Sequence, residues 1–312
     1  MQAPTARRAG TMETVPAGVF TRWIDYLDAK PKTIETYTRA VKQFSRYLQE
    51  QAIQSPTRED ILAYRATLEQ AGKSAATINL YIIAVRLFFR WTAQEGLYPN
   101  IADHVRGAKV SHTFKKDYLT SKQAKTVLST CHQGNRSDAR DYAIIALMAT
   151  TGLRTIEVAR ANVEDIRPAG DSVVLYIQGK GRDDKQEYVK LTPPVEDAIM
   201  AYLAEAPCKD AYNIPLFRGI GNRNAGGRLT TRTISRIVKD HMRAAGLNSS
   251  RLTAHSLRHT AATLMLKNGA NPLEVQQILR HKDINTTMIY SHSLERESNT
   301  GESRASRAIF GD

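Results

Sequence analysis

Between residues 18 and 107 apolar side chains recur every three or four positions, and each break in that rhythm carries a residue that starts or stops a helix. A chain patterned this way hides its apolar stripes by folding as amphipathic helices packed into a small bundle. Phe20, Trp23, Ile24 and Leu27 form the first stripe, and Pro31 interrupts it. A second helix begins near Thr33, with Thr36 and Tyr37 in its opening turns and Val41, Phe44, Tyr47 and Leu48 on its apolar face. Ser55-Pro56-Thr57 reads as a third start, with Thr57 as the cap. Glu59 and Asp60 then place negative charge where the helix dipole is positive, ahead of Ile61, Leu62, Tyr64 and Leu68. Ala71-Gly72 breaks the chain before Ile78, Tyr81, Ile82, Val85, Phe88, Phe89 and Trp91, and Gly96 with Pro99 closes the fourth helix.

The character changes from Tyr118 onward. Helical patterns at 121–131 and 138–151 precede two β-branched and aromatic runs, 172–178 and 186–191. The runs flank Gly-Lys-Gly-Arg-Asp-Asp-Lys, which signals a hairpin carrying Lys180 and Lys185 in its turn. After Pro193-Pro194 the pattern returns to helices. A length of 312 residues favours two domains. The expected division is a flexible basic tail over 1–16, a helical domain over 17–107, a basic linker over 108–117 and a second domain over 118–312. The last of these ends in a separate C-terminal segment, 298–312.

Lysines and arginines outnumber aspartates and glutamates by 44 to 31, a net charge of +13. Such an excess favours a polyanionic partner, and nucleic acid is the common one. On the bundle, Lys32, Arg39, Lys42, Lys73, Arg86 and Arg90 either line a DNA backbone or form a solvated face, and Lys115 and Lys116 of the linker extend the set. The two cysteines, Cys131 and Cys208, have no metal-type spacing and form no disulfide framework, which fits a reducing cytoplasm. No apolar run approaches the ~20 residues needed to span a bilayer, and no secretory signal follows Arg7 and Arg8.

Four places carry chemistry. Thr151 and Gly152 break an apolar helix just before Arg154, which falls in the first turn of the next one, where peptide N–H groups and a guanidinium serve one anion together. Glu157, three residues on, either orients a neighbouring cation or makes a surface ion pair. Lys180 sits between two glycines that allow close backbone approach to a groove, or it is a solvent-exposed turn lysine. His255 and Arg258, three apart, share one side of a helix whose other face is Leu257, Ala261, Leu264 and Met265, and His259 follows. A zinc site from His255, His259 and His281 lacks an acidic or further short-range ligand. Tyr290 is a phenol with an ordinary pKa near 10 and needs cationic neighbours to act as a nucleophile. A phosphodiester under such attack gains charge on its non-bridging oxygens, which two arginines bind, while a lysine protonates the departing oxygen.

In this order, Arg154 within Thr-Gly-Leu-Arg-x-x-Glu, Lys180 in its hairpin, His255-x-x-Arg258, His281 and Tyr290 resemble the tyrosine recombinase, or phage integrase, family, its Xer-like and mobile-element members above all. The resemblance covers most of the chain. It implies a mainly α protein: an N-terminal four-helix core-binding (SAM-like) domain, and a mixed α/β, mostly helical catalytic domain with a small β-sheet, clamped around duplex DNA. It implies a site-specific recombinase that cuts and rejoins DNA through a 3′-phosphotyrosyl intermediate and a Holliday junction, with no cofactor, metal or ATP. The bland alternative is a non-catalytic DNA-binding protein on the same fold. The implied roles are a phosphate clamp for Arg154 and Arg258, a general acid for Lys180 (with Lys185 as the other candidate), and proton transfer with Tyr290 for His255. His281 would donate a hydrogen bond to the phosphate, and Glu157 would support the site from behind. The family often has glycine before the histidine that aligns with His281; Arg280 here either contacts DNA or faces solvent. The resemblance also implies a homotetramer on DNA, monomeric when free, in which Ala308, Ile309 and Phe310 anchor the C-terminal segment in a neighbouring copy, and a bacterial, cytoplasmic, DNA-associated location.

Overall fold

Pro31 starts a helix as well as separating two. In the computed structural model the first helix, α1, spans Ala17–Tyr26, and the second, α2, spans Pro31–Glu50 with the proline in its first turn. A ring-fixed φ and a missing N–H suit that position, so α2 begins ahead of the expected Thr33. Helix α3 (Arg58–Gln70) opens on Thr57, whose N–H donates to Asp60 Oδ2 at 2.7 Å. Helix α4 (Ala75–Gln94) opens on Ser74, whose Oγ accepts from the Thr77 N–H at 3.2 Å. Their apolar stripes meet in an aromatic core. Trp23 and Phe88 pack edge to face at 5.5 Å, and Phe44 does the same against Tyr64 at 5.1 Å. Each large side chain buried there stabilises by about 1.5–3 kcal/mol.

The structure describes residues 17–109, 117–131, 134, 136–179, 182, 184–205, 212–221 and 224–311. The expected tail over 1–16, Lys115, Lys116, Lys180 and Cys208 all lie outside them. The chain divides into two compact units, Met1–Thr113 and Phe114–Asp312.

In the second unit, helices α5 (Ser121–Ser129), α6 (Arg136–Thr151) and α7 (Thr155–Arg160) lead into a three-stranded antiparallel sheet. Its strands are β1 (Ile166–Ala169), β2 (Ser172–Ile177) and β3 (Glu187–Lys190), in that order. The expected hairpin is β2 with β3. Strand β1 carries no sequence signal because Pro168 falls inside it. A proline is tolerated in an edge strand, where its missing N–H breaks no ladder bond. Helices α8 (Pro193–Glu205), α9 (Thr231–Ala244), α10 (Ala254–Lys267), α11 (Pro272–Leu279), α12 (Asn285–Ser298) and α13 (Gly301–Phe310) complete the chain.

Helix α6 is the centre of this unit and packs against α8 and α10. Ile144, Ile145, Leu147 and Met148 are all buried, an all-round apolar character that fits a central helix. Cys131 is buried with its Sγ 3.6 Å from His241 Nδ1. Asp141 accepts from that histidine and holds its pKa up to about 10, so the imidazole is charged at neutral pH. Helix α13 buries none of its residues, and Ile309 and Phe310 are 72% and 81% exposed. Among the described residues no helix is long and apolar enough to cross a membrane.

Candidate active site

Gly152 makes the first decisive turn. Its φ of +65° ends α6, and a Cβ there would overlap the buried Leu279 side chain. The turn aims the Gly152 carbonyl at Arg258, whose Nη1 donates to it at 2.6 Å. Gly152→Ala therefore meets backbone strain of about 1–2 kcal/mol and overpacking of about 1–3 kcal/mol. Gly170 has a similar φ of +58° and open space around it, so Gly170→Ala should show the strain alone. Urea denaturation of the two variants checks this: equal losses would mean that the Leu279 contact is absorbed.

Arg154 is the cap of α7 rather than a residue of its first turn, because its ψ of 150° is extended. Its N–H donates to Glu157 Oε2 at 2.7 Å and its Nη1 to Glu157 Oε1 at 3.0 Å. Glu157 is fully buried, which rules out the surface ion pair. A carboxylate removed from water in this way needs strong partners. The second is Arg280, whose Nη2 donates to Glu157 Oε2 at 2.9 Å. Arg280 neither faces solvent nor reaches outward. It ends α11 in the left-handed conformation, φ 55° and ψ 47°, which swings its side chain back under the site.

Arg258, expected on an open helical side, is 1% exposed. Besides Gly152 it donates through Nη2 to the Leu279 carbonyl. Among the described residues, two of its five N–H donors are thus engaged. Burial, and then the nearby Arg154, lowers its pKa to about 10, so it stays charged at neutral pH.

Tyr290 on α12 is 5% exposed. Its Oη lies 2.6 Å from His259 Nδ1. His255 is exposed one turn earlier on α10, and its ring meets that of His259 edge-on at 4.7 Å. On the other side the His281 ring lies parallel to the Tyr290 ring at 6.4 Å, with Nδ1 2.8 Å from Thr287 Oγ1. Burial raises the phenol pKa to about 12, against the pull of Arg258 and Arg154. The same burial, reinforced by Arg258, Arg154 and Arg280, drives His281 down to about 4. His281 is therefore neutral at pH 7.

The chain thus brings Arg154, His255, Arg258, His281 and Tyr290 into one region, with Glu157 behind them. Lys185 is tied to the buried Asp165 at 2.6 Å. A groove of about 580 Å³ beside Arg154 and His255 is lined also by Thr155, Lys239, Ser250 and Thr253. His259 and Arg280 are the residues that sequence reasoning named without placing them in the site. His259 figured as a polar neighbour of His255 and as a zinc ligand, and nothing in the sequence says that it meets a tyrosine on α12.

In the first unit, Lys32 and Arg39 share Glu35 at 2.7 and 2.8 Å, and Lys42 lies over the Phe20 ring at 5.5 Å. Arg39 and Lys42 line a shallow groove with Arg46, a cation absent from the expected set, and Lys73 lies beside Arg46 in the next. Arg90 is exposed and Arg86 half-buried.

Residues 117–297 match the phage integrase family, and residues 20–96 match the phage integrase N-terminal SAM-like domain. Tyrosine recombinase XerA of Pyrococcus furiosus is 30% identical over 279 residues, which is 89% of this chain and 91% of the relative. Two solved structures share the fold. One is the XerH site-specific recombinase bound to palindromic difH substrate in a post-cleavage complex (24% identity, TM-score 0.69, 85% of this chain and 78% of that one). The other is a lambda integrase tetramer bound to a Holliday junction (19% identity, TM-score 0.69, 91% of this chain and 78% of that one). A mainly helical fold with a SAM-like first domain and a buried tyrosine among arginines defines a DNA strand-transfer enzyme of the tyrosine class. The chain belongs to the phage integrase family, the tyrosine site-specific recombinases.

Proposed function

We propose that Tyr290 cuts duplex DNA at a specific site and holds the 3′ end as a phosphotyrosine until a partner strand displaces it. One observation carries this reading: a buried phenol paired at 2.6 Å with His259 Nδ1, within the field of Arg258 and Arg154. His259 takes the proton from Tyr290 as Oη attacks phosphorus, and His255 supports His259 through their ring contact. Arg154 and Arg258 hold the two non-bridging oxygens as charge builds on them. Neutral His281, with Nδ1 engaged by Thr287, offers its other nitrogen as a hydrogen-bond donor. The bond to the 5′ oxygen breaks and Lys180 protonates that oxygen; the anchoring of Lys185 on Asp165 favours Lys180 for the task. Reversal by a 5′-hydroxyl of the partner strand breaks the bond to Oη and returns the proton to Tyr290. The phosphodiester energy stays in the protein–DNA link, so the cycle uses neither ATP nor a metal ion.

The unit Met1–Thr113 acts as the core-binding domain, with Lys32, Arg39, Lys42, Lys73, Arg86 and Arg90 on the DNA backbone. Lys115 and Lys116 continue that contact. The working assembly is a tetramer on two sites passing through a Holliday junction, with Ile309 and Phe310 of α13 docked in a neighbouring copy. Their exposure in the single chain supports this. The biological role is integration and excision of a mobile element or resolution of chromosome dimers, in the cytoplasm of a bacterium.

Incubation with a randomised pool of nicked duplexes in EDTA tests the reading, with DNA–protein adducts resolved in SDS. Adducts are expected, and sequencing the attached DNA gives the site. A protein that binds the pool without forming adducts is the non-catalytic alternative. In the same assay His259→Gln should slow adduct formation more than His255→Gln; the reverse order returns the proton-transfer role to His255.

A further inference from the structure

We propose that Arg280 sets the charge of the phosphate site, neutralising the buried Glu157 so that Arg154 and Arg258 both act on the scissile phosphate at full strength. This rests on the recombinase reading above. The fully buried Glu157 carboxylate lies against Arg154 at 3.0 Å and Arg280 at 2.9 Å. Without Arg280, Arg154 would be the one guanidinium left on that carboxylate among the described residues, and the attraction would draw it away from the substrate. Three guanidinium charges against one carboxylate leave two positive charges; removing Arg280 leaves one. Glu187 does not upset this balance, because it stands 3.8 Å from Arg280 Nε and is paired with Arg182 at 3.1 Å.

The match to the chemistry is direct. A phosphodiester carries one negative charge, and its two non-bridging oxygens share more as the tyrosine attacks. A site with two positive charges favours that state over the bound ground state by more than a site with one does. Arg280 thus acts through Glu157 and Arg154 as a positioning residue. Its backbone supports the assignment. A left-handed φ of 55° is a conformation that side chains adopt at an energetic cost. Here the backbone hydrogen bonds that end α11, Arg280 N–H to the Gln277 carbonyl and His281 N–H to the Gln276 carbonyl, hold the reversal, and the same residue meets Glu157.

Glycine fits this φ without strain, but the buried Glu157 carboxylate loses a partner, so Arg280→Gly should lower thermal stability. Its single-turnover adduct formation should fall on the order of 10- to 100-fold, with non-covalent DNA affinity changed far less. Arg280→Lys, which keeps the charge, should recover part of the rate. Two readouts separate charge from mere structure. On a substrate whose scissile phosphate is an uncharged methylphosphonate, the Arg280→Gly deficit should shrink severalfold. In the double variant Glu157→Gln/Arg280→Gly, which again has two positive charges, the rate on ordinary DNA should rise above that of Arg280→Gly alone. An Arg280→Gly protein that cleaves at the wild-type rate, or loses equally on both substrates, overturns the proposal. A wild-type protein that forms no adduct overturns the recombinase reading itself.

Discussion

Tyr290→Phe is expected to bind DNA and fold as the wild type does, and to form no SDS-stable adduct on a nicked substrate. Loss of a nucleophile removes more than about 10⁴-fold of rate. The phenyl ring keeps its place among Ala262, Val275 and Leu279, so packing is preserved. The missing Oη–His259 hydrogen bond should change stability by only about 0.5–1.5 kcal/mol. Single-turnover adduct assays beside a urea melt read both quantities. Adduct at the wild-type level would move the nucleophile to another residue, which mass mapping of the attached nucleotide would identify.

Arg258→Met should fail twice. The Gly152 and Leu279 carbonyls each lose their donor inside the protein, and an orphaned buried acceptor costs about 1–3 kcal/mol. Part of this is offset because a buried charge is also removed, so a net loss of about 2–4 kcal/mol is expected by urea titration. Adduct formation should fall by about 10³-fold or more, because one of the two guanidinium groups on the non-bridging oxygens is gone. Arg258→Lys separates the two effects. A single ammonium supplies the charge but cannot span the two carbonyls and the substrate as a planar fork does. It should keep more stability than rate. Cleavage by Arg258→Met within tenfold of wild type would make Arg258 a purely structural residue.

Much of this architecture is readable from local pattern because it depends on local physics. Thr57 caps α3 through its own neighbour Asp60, and the stripes of Phe44, Phe88 and Trp91 follow the 3.6-residue period. Strand β1 escapes the same reasoning, since Pro168 argues against a strand and only pairing with β2 overrides it. The site divides in the same way. Arg154 with Glu157 is an i,i+3 pair visible in the chain, but whether it sits on the surface or in the interior depends on what covers it. Arg280, 123 residues away, supplies part of that cover.

The order of Arg154, Lys180, His255, Arg258, His281 and Tyr290, the helical punctuation and the basic excess determine the family, the fold class and the type of reaction. Those properties reside in residue identity and short-range spacing. Which histidine meets the phenol, and where Arg280 points, were decided only by tertiary structure. His255 and His259 lie one turn apart on α10, equivalent by period, and the way α12 lies against that helix selects His259. The left-handed reversal at the end of α11 turns Arg280 from an outward cation into the partner of a buried carboxylate. Both outcomes depend on distances between segments far apart in the chain, which no local pattern encodes.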